Sequence, residues 1–323
     1  MKNIPIRIIY EDQYIIVIEK REGLLSMGTA KGKEEITAHS LLNNYIRNTA
    51  PRRGRYAPQP RIFIVHRLDR ETSGLMVFAK SEEIKRTLQD NWDEIVTQRK
   101  YVAVVNGCYE QEPNGNTKTQ GNPQKQQQQP QVQQQQPQAQ QQQPQVQQQQ
   151  PQVQQQQPAE PVQGTIRSWL KENSAYIVYS SPKDNGGQLA ITHYKVLDSN
   201  PKTRKSLMEL ELETGRKNQI RVHMQEMGTP IFGDKKYYGG IQSHLEESKK
   251  AHRLYLHAFT LNFIHPVTGK EMKFTTGIPR SFISTVEKPV PVGTKQHSSV
   301  PQTKQNSNRG TKKHPGVPQQ RKK

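Results

Sequence analysis

Between residues 112 and 163 the chain is so rich in Gln and Pro that no regular element can run through it. Proline returns at 130, 137, 144, 151 and 158, inside a repeat of the form PQVQQQQ. A seven-residue period would suit a coiled coil, but a proline in every heptad forbids a continuous helix. One Val or Ala per repeat cannot offset the entropy of ordering the other residues. The segment reads as a flexible, disordered insert between two strands. A second polar stretch, 288–323, reads as a disordered basic tail. Any core must therefore be assembled from two separated pieces, 1–111 and 164–287, together 235 residues. That is enough for one large domain with a real core.

The pieces alternate short apolar runs with turns. IRIIYEDQYIIVIEK, residues 6–20, has two apolar runs around Glu11-Asp12-Gln13, as in a β-hairpin. Ile62 to Val65, Lys100 to Asn106 and the runs near 165–170, 175–179, 190–197 and 206–213 read as strands, as do Leu254 to Ile264 and Met272 to Thr275. Helices are expected at Thr37 to Arg47, with Thr37 as N-cap, and at Ser81 to Trp92, with Ser81 as cap and Glu82 and Glu83 in the first turn. A third is expected at Gln219 to Met227, with Ile220, His223 or Met224, and Met227 on one face, ended by Gly228. Many strands, few helices and no βαβ rhythm predict an α+β fold with a mixed, mainly antiparallel sheet.

The formal charge is +19. The tail holds nine Lys or Arg and no acid, and the insert is balanced, so the rest keeps about +10. Such a balance points to a polyanion, nucleic acid before all others. A membrane surface is the rival, but no amphipathic helix or lipidation motif supports it. No run is long and apolar enough to span a bilayer, and charged residues interrupt the first apolar run, as they would not in a signal peptide. Cys108 is the only cysteine, which excludes an internal disulfide and a thiolate zinc cluster; it reads as an inert strand-end residue. His66, His223 and His257 are too scattered for a metal site. A cytoplasmic monomer without a cofactor is expected.

The chemistry concentrates in HRLDRETSGLMVFAK, residues 66–80. A polar loop carries His66, Arg67, Asp69, Arg70 and Glu71 between two apolar runs, and Thr72-Ser73-Gly74 reads as a turn. Loops held by strands are where scaffolds present chemistry. Asp69 is the short acceptor-only group there able to act as a nucleophile; its plainer role would be an ion pair with Arg67 or Arg70. Far downstream, TGRKNQIR, residues 214–221, puts a glycine and several cations at a helix start, a phosphate-binding arrangement. Arg221 is the cation expected to reach Asp69, keep it ionised and aim it. Arg216 and Lys217 would meet phosphate.

HRLD-x-x-TSG resembles the signature of the RluA-type RNA pseudouridine synthases. The resemblance continues through LETGRKNQIRVHM, through Gly228 to Gly239 (the family's GxPIxGDxxYG), through RLYLHA at 253–258 and through the turn His265-Pro266 to Gly269. Asn218 departs from it, standing where many relatives have His. Many relatives also carry a small RNA-binding domain ahead of the catalytic part, which here begins within the first ten residues.

The resemblance implies an isomerase that detaches uracil from its ribose and reattaches it through carbon, in ribosomal or transfer RNA. Asp69 would be the nucleophile on a flipped-out nucleotide, with Arg221 and Tyr101 completing the catalytic set. Tyr101 matches the family's active-site tyrosine and would offer a ring for stacking; on an apolar strand alone it would read as core. Arg67 would fill the vacated space or hold the displaced strand, and His66, Arg70, Arg216 and Lys217 would join it in binding RNA. The alternative, from another class, is a non-catalytic RNA-binding or RNA-chaperone protein that retains the fold.

Overall fold

The computed structural model describes residues 6–28, 35–49, 59–111, 117–119 and 162–287. By contacts the chain divides into residues 1–288 and residues 289–323. The second unit, and with it the expected disordered tail, lies outside the described residues, as does most of the Gln-rich insert.

The N-terminal piece folds as its alternation dictates. Strands β1 (Arg7–Glu11) and β2 (Ile15–Lys20) form the expected hairpin, and Asp12 accepts the N–H groups of Tyr14 and Ile15 at its turn. β2 then pairs with β4 (Ser73–Ala79), which β3 (Phe63–Ile64) flanks. The apolar runs Ile15 to Ile18 and Leu75 to Ala79 are continuous because both faces of these strands are covered. Ile16, Ile18, Met76 and Phe78 face one cluster, roofed by Ala38, Leu42 and Ile46 of α1 (Ala38–Thr49). Ile15, Val17, Leu75, Val77 and Ala79 face the other, roofed by Ile84 and Leu88 of α2 (Glu82–Asp90). The two-residue side-chain period of a strand sorts neighbouring residues between these clusters. Thr37 Oγ1 accepts from Ser40 N at 3.0 Å and Ser81 Oγ from Ile84 N at 3.2 Å, so both expected caps are made. The helix expected to continue to Trp92 breaks at Asn91, and Trp92 opens a separate turn, α3 (Trp92–Ile95).

The chain then enters the long strand β5 (Val96–Asn106) and a small hairpin, β6 (Tyr109–Gln111) with β7 (Thr117–Thr119). β7 falls inside the stretch read as insert. β8 (Gln163–Glu172), β9 (Val178–Ser181), β10 (Gln188–Asn200) and β11 (Lys205–Leu212) follow. After α4 (Gln219–Glu226) and α5 (Gln242–Lys250) come β12 (Leu256–Ile264), β13 (Glu271–Thr275) and α6 (Arg280–Val286). The large sheet has the order β1-β2-β4-β12-β5-β11-β10-β8-β9, with β13 beside β12. Its β4–β12 pair is parallel and its other ladders are antiparallel, so the mixed, mainly antiparallel α+β fold is observed.

Two local expectations are corrected. Thr72-Ser73-Gly74 is no turn: Ser73 and Gly74 open β4 and pair with His257 and Ala258 of β12. Gly74 has φ 123°, and a Cβ there would lie 2.2 Å from Ala258 O. The glycine is needed for the close approach of strands rather than for reversal of the chain. Helix α4 has no single apolar face either. Gln219, Ile220, Arg221, Val222, His223 and Met224 are all buried, because the helix lies between two apolar clusters and the site.

Candidate active site

Asp69 sits in the loop between β3 and β4, and that loop is clamped from below. Ser26 Oγ donates to Leu68 O at 2.7 Å and accepts from Leu68 N at 3.2 Å. Lys20, fully buried at the end of β2, donates to the carbonyls of Arg21, Leu24 and Arg70 at 3.0, 2.7 and 3.2 Å. Burial pulls the Lys20 ammonium down to about 8 against the raising effect of Asp69, Glu71 and Glu22. Thr72 N closes the loop on Asp69 O at 3.2 Å. The β4 end is tied to β12 by Arg253, which donates to Ser73 Oγ, and by Ser73, whose hydroxyl meets His257 Nδ1 at 2.7 Å. The arrangement fixes the Asp69 backbone on three sides.

Arg221 comes from the first turn of α4 and does meet Asp69, with Nη1 donating to Oδ2 at 3.2 Å. Its stronger partner is Asp234. Nε donates to Asp234 Oδ2 at 2.7 Å and Nη2 to Asp234 Oδ1 at 3.0 Å, a two-pronged pairing that orients the guanidinium plane. Asp234 is itself pinned by the N–H groups of Lys236 and Tyr237, at 2.9 and 2.8 Å. The Tyr237 ring lies 4.9 Å from the guanidinium. Burial opposes the charge on Arg221, but the bonds and charge of Asp234, and then Asp69, outweigh it and raise its pKa. Gly233, with φ 85°, makes the turn possible; a Cβ there would lie 1.9 Å from Arg253 O. Arg221 thus offers Asp69 one preoriented hydrogen bond while its charge is mostly balanced from behind.

Tyr101 lies on β5 between Leu210 of β11 and Ala258 of β12 and lines the same cavity as Asp69. Burial is the main cause that pushes its phenol up to about 12; Arg99 opposes and Asp69 adds to it. The ring stays neutral at physiological pH. The cavity, of about 840 Å³, also takes in Met27, Arg67, Trp92 and Arg99. A second cavity of about 700 Å³ lies on the other side of Asp69, walled by Arg221, Lys217, Lys235, Lys236 and Arg253. Asp69, Arg70, Lys217 and Asn218 border both.

The expected RNA-binding residues are placed unequally. Arg67 is exposed at the cavity rim and has no ion-pair partner among the described residues. Arg70 pairs with Glu35 at 2.7 Å, both about half exposed, and so is not the partner of Asp69. Arg216 Nε donates to Leu189 O at 3.0 Å, and Lys217 pairs with Glu172. His66 is turned inward: Nε2 accepts from Val77 N at 3.1 Å and the ring lies tilted against Trp92, centroids 4.8 Å apart. Burial, and next the charge of Arg99, lower its pKa to about 3, so the ring is neutral at physiological pH. Asn218 takes the left-handed conformation, φ 55°, that Asn tolerates, and donates to Tyr237 Oη at 2.9 Å.

Sequence reasoning assigned no role to Asp234, Lys20, Ser26 or Arg99. A signal existed for Lys20: strand alternation puts it on the same face as Ile16 and Ile18, and a lysine on a core face needs a purpose. Among the described residues no group of three or more His, Cys, Asp or Glu is placed to hold a metal ion, and no helix is long and apolar enough to cross a membrane.

The family model for RNA pseudouridylate synthase matches residues 14–226, a stretch that holds Asp69, Tyr101 and Arg221. The chain belongs to the RNA pseudouridylate synthase family. It is 28% identical over 281 residues to the ribosomal large subunit pseudouridine synthase D of Zymomonas mobilis subsp. mobilis, covering 86% of this chain and 71% of that synthase. With the synthase D of Pseudomonas aeruginosa it shares 29% identity over 292 residues, covering 87% and 71%. The solved human RNA Pseudouridylate Synthase Domain Containing 4 shares the fold, with a TM-score of 0.54 at 21% identity, over 86% of this chain and 91% of that one.

Proposed function

We propose that this member of the pseudouridylate synthase family isomerises a specific uridine to pseudouridine in RNA, with Asp69 as the nucleophile on a flipped-out nucleotide. The bond from C1′ to N1 breaks, a bond from C1′ to C5 forms, the C5 proton leaves and N1 gains one. Asp69 acts on either the sugar or the base. Arg221 holds the carboxylate in position, Tyr101 stacks on the turned uracil, and Arg67 occupies the place the nucleotide leaves in its strand. The RNA is ribosomal or transfer RNA; the names of the ribosomal synthase relatives favour the former. The protein acts as a cytoplasmic monomer, without a cofactor. The insert between β7 and β8 and the basic tail stand outside the catalytic part.

The observation that carries this reading is the position of Asp69: on a clamped loop, at the border of two cavities, bonded to a guanidinium that Asp234 has already oriented. The test is to map pseudouridines in total RNA from cells with and without the gene, and from deleted cells carrying Asp69→Asn. One site should vanish on deletion and stay absent with the variant. A site restored by Asp69→Asn would remove the aspartate from its role, and an unchanged map would leave an RNA-binding protein without catalysis.

A further inference from the structure

The turn between β8 and β9 carries a tyrosine that the catalytic reading does not use. Tyr176 is 74% exposed, more than any other large apolar side chain among the described residues. Its φ is 59°, a conformation that side chains with a Cβ resist. The turn nevertheless holds it there. Asn173 Oδ1 accepts from Ala175 N and Ile177 N at 3.0 and 2.9 Å, and Asn173 O accepts from Tyr176 N at 2.9 Å. The ring is thus kept in solvent on a pinned backbone, which no packing requirement explains.

Its surroundings are cationic. Lys236 Nζ donates to Tyr176 O at 2.7 Å, and Lys217 Nζ, shared with Glu172, lies 5.8 Å from the ring centroid. Both lysines also wall the cavity that ends at Asp69 and Arg221. An outward aromatic face flanked by two lysines that also wall that cavity matches an unpaired nucleobase with its phosphate: the ring takes the base and the cations take the backbone. A protein partner would not call for the two lysines, whereas a polyanion entering this cavity must pass them.

We propose that Tyr176 is a stacking platform for an unpaired base flanking the target uridine, with Lys236 and Lys217 neutralising the adjoining phosphate. This rests on the RNA reading of the site and adds a subsite that grips single-stranded RNA beside the reacting nucleotide.

The test uses the full chain, a fluorescent single-stranded oligouridylate for binding, and total RNA from gene-deleted cells for turnover. Tyr176→Asn removes the ring but keeps a residue that accepts the turn's left-handed conformation; Tyr176→Gly removes ring and strain together; Tyr176→Phe keeps the ring. Loss of one stacked base should weaken oligouridylate binding roughly 5- to 100-fold in the first two variants. KM should rise far more than kcat falls, and melting temperatures should stay near that of the unmodified chain. Tyr176→Phe should bind within about twofold of it. Binding by both ring-less variants within twofold of the unmodified chain overturns the platform while leaving the RNA reading intact. An unmodified chain that neither binds oligouridylate nor forms pseudouridine overturns both.

Discussion

Asp234 is the residue on which the geometry of the site turns, and Asp234→Asn isolates its charge. The carboxylate is fully buried and accepts four hydrogen bonds, two from Arg221 and one each from the N–H groups of Lys236 and Tyr237. An asparagine can keep Oδ1 and the three bonds it accepts, but it turns an NH2 toward Arg221 Nε. That substitution loses one charge-assisted bond, worth about 1.5–3 kcal/mol, and opposes donor to donor. It also leaves a guanidinium that is 90% buried without its main counter-charge, so the total should approach the roughly 3–5 kcal/mol lost when a buried pair is broken. For a folded unit of this size each kcal/mol moves the melting temperature by about 2–4 °C, so a fall of about 6–20 °C is expected. The freed guanidinium should also swing toward Asp69, and pseudouridine formation should fall with stability. Asp69→Asn provides the contrast. Asp69 is one third exposed and makes a single bond of 3.2 Å with Arg221, so its removal should cost no more than about 1 kcal/mol while abolishing turnover. Thermal unfolding and turnover on the same RNA measure both. An Asp234→Asn midpoint within about 2 °C of the unmodified chain, or an Asp69→Asn midpoint depressed as far as that of Asp234→Asn, would refute the division between orienting and reacting carboxylates.

Three further outcomes are expected. Tyr101→Ala should lower turnover by at least about fivefold through loss of a stacking surface worth roughly 1–3 kcal/mol, whereas Tyr101→Phe should retain most turnover; equal effects of the two would assign the role to the hydroxyl. Burial lowers His223 and, with the charge of Arg253, His257 to about 4, so the unfolded chain takes up their protons first as pH falls below about 6.5. Their stabilising contribution is therefore complete above that pH and lost toward pH 4, on the order of 3 kcal/mol each. His223→Gln should flatten the fall in melting temperature between pH 7 and 5, and an unchanged slope would exclude His223 as a cause. Replacing residues 120–161 by a short Gly-Ser bridge from β7 to β8 should change stability by less than about 2 kcal/mol, since closure entropy varies slowly with loop length; a chain that no longer folds would show that the Gln-rich segment packs on the core.

The strands were legible because their apolar runs serve two clusters at once: Ile15 to Ile18 and Leu75 to Ala79 read as strands with or without tertiary knowledge. Helices α1 and α2 were legible through Thr37 and Ser81, whose caps are local chemistry. Helix α5 left no trace because only Ser248 of its nine residues is buried, so it carries no apolar stripe. The parallel pairing of Gly74 with Ala258 was hidden because a glycine needed for close approach looks like one needed for a turn. Asp69, Arg221 and Tyr101 were picked out by their motifs; Tyr101 shares one cavity with Asp69 and Arg221 shares the other. What could not be read was that Arg221 spends two of its bonds on Asp234, an arrangement that exists only once the Gly233 turn brings them together.

The position of β12 sets the order in which this molecule can be made. It is the twelfth of the described strands but lies in the middle of the sheet, between β4 and β5. A nascent chain that has emerged only as far as β11 holds the hairpin of β1 and β2 with β4 on one side, and β5 with β8 to β11 on the other, with no ladder among the described strands between them. Each half would bury one flank and leave an unpaired edge. Such late, non-local closure makes folding slow and leaves partial chains prone to aggregate. It also means that the β4–β12 pairing, which anchors the Asp69 loop, forms only after almost all of the ordered chain has been synthesised. A chain still lacking β12 therefore lacks the pairing that holds the Asp69 loop at the border of its two cavities.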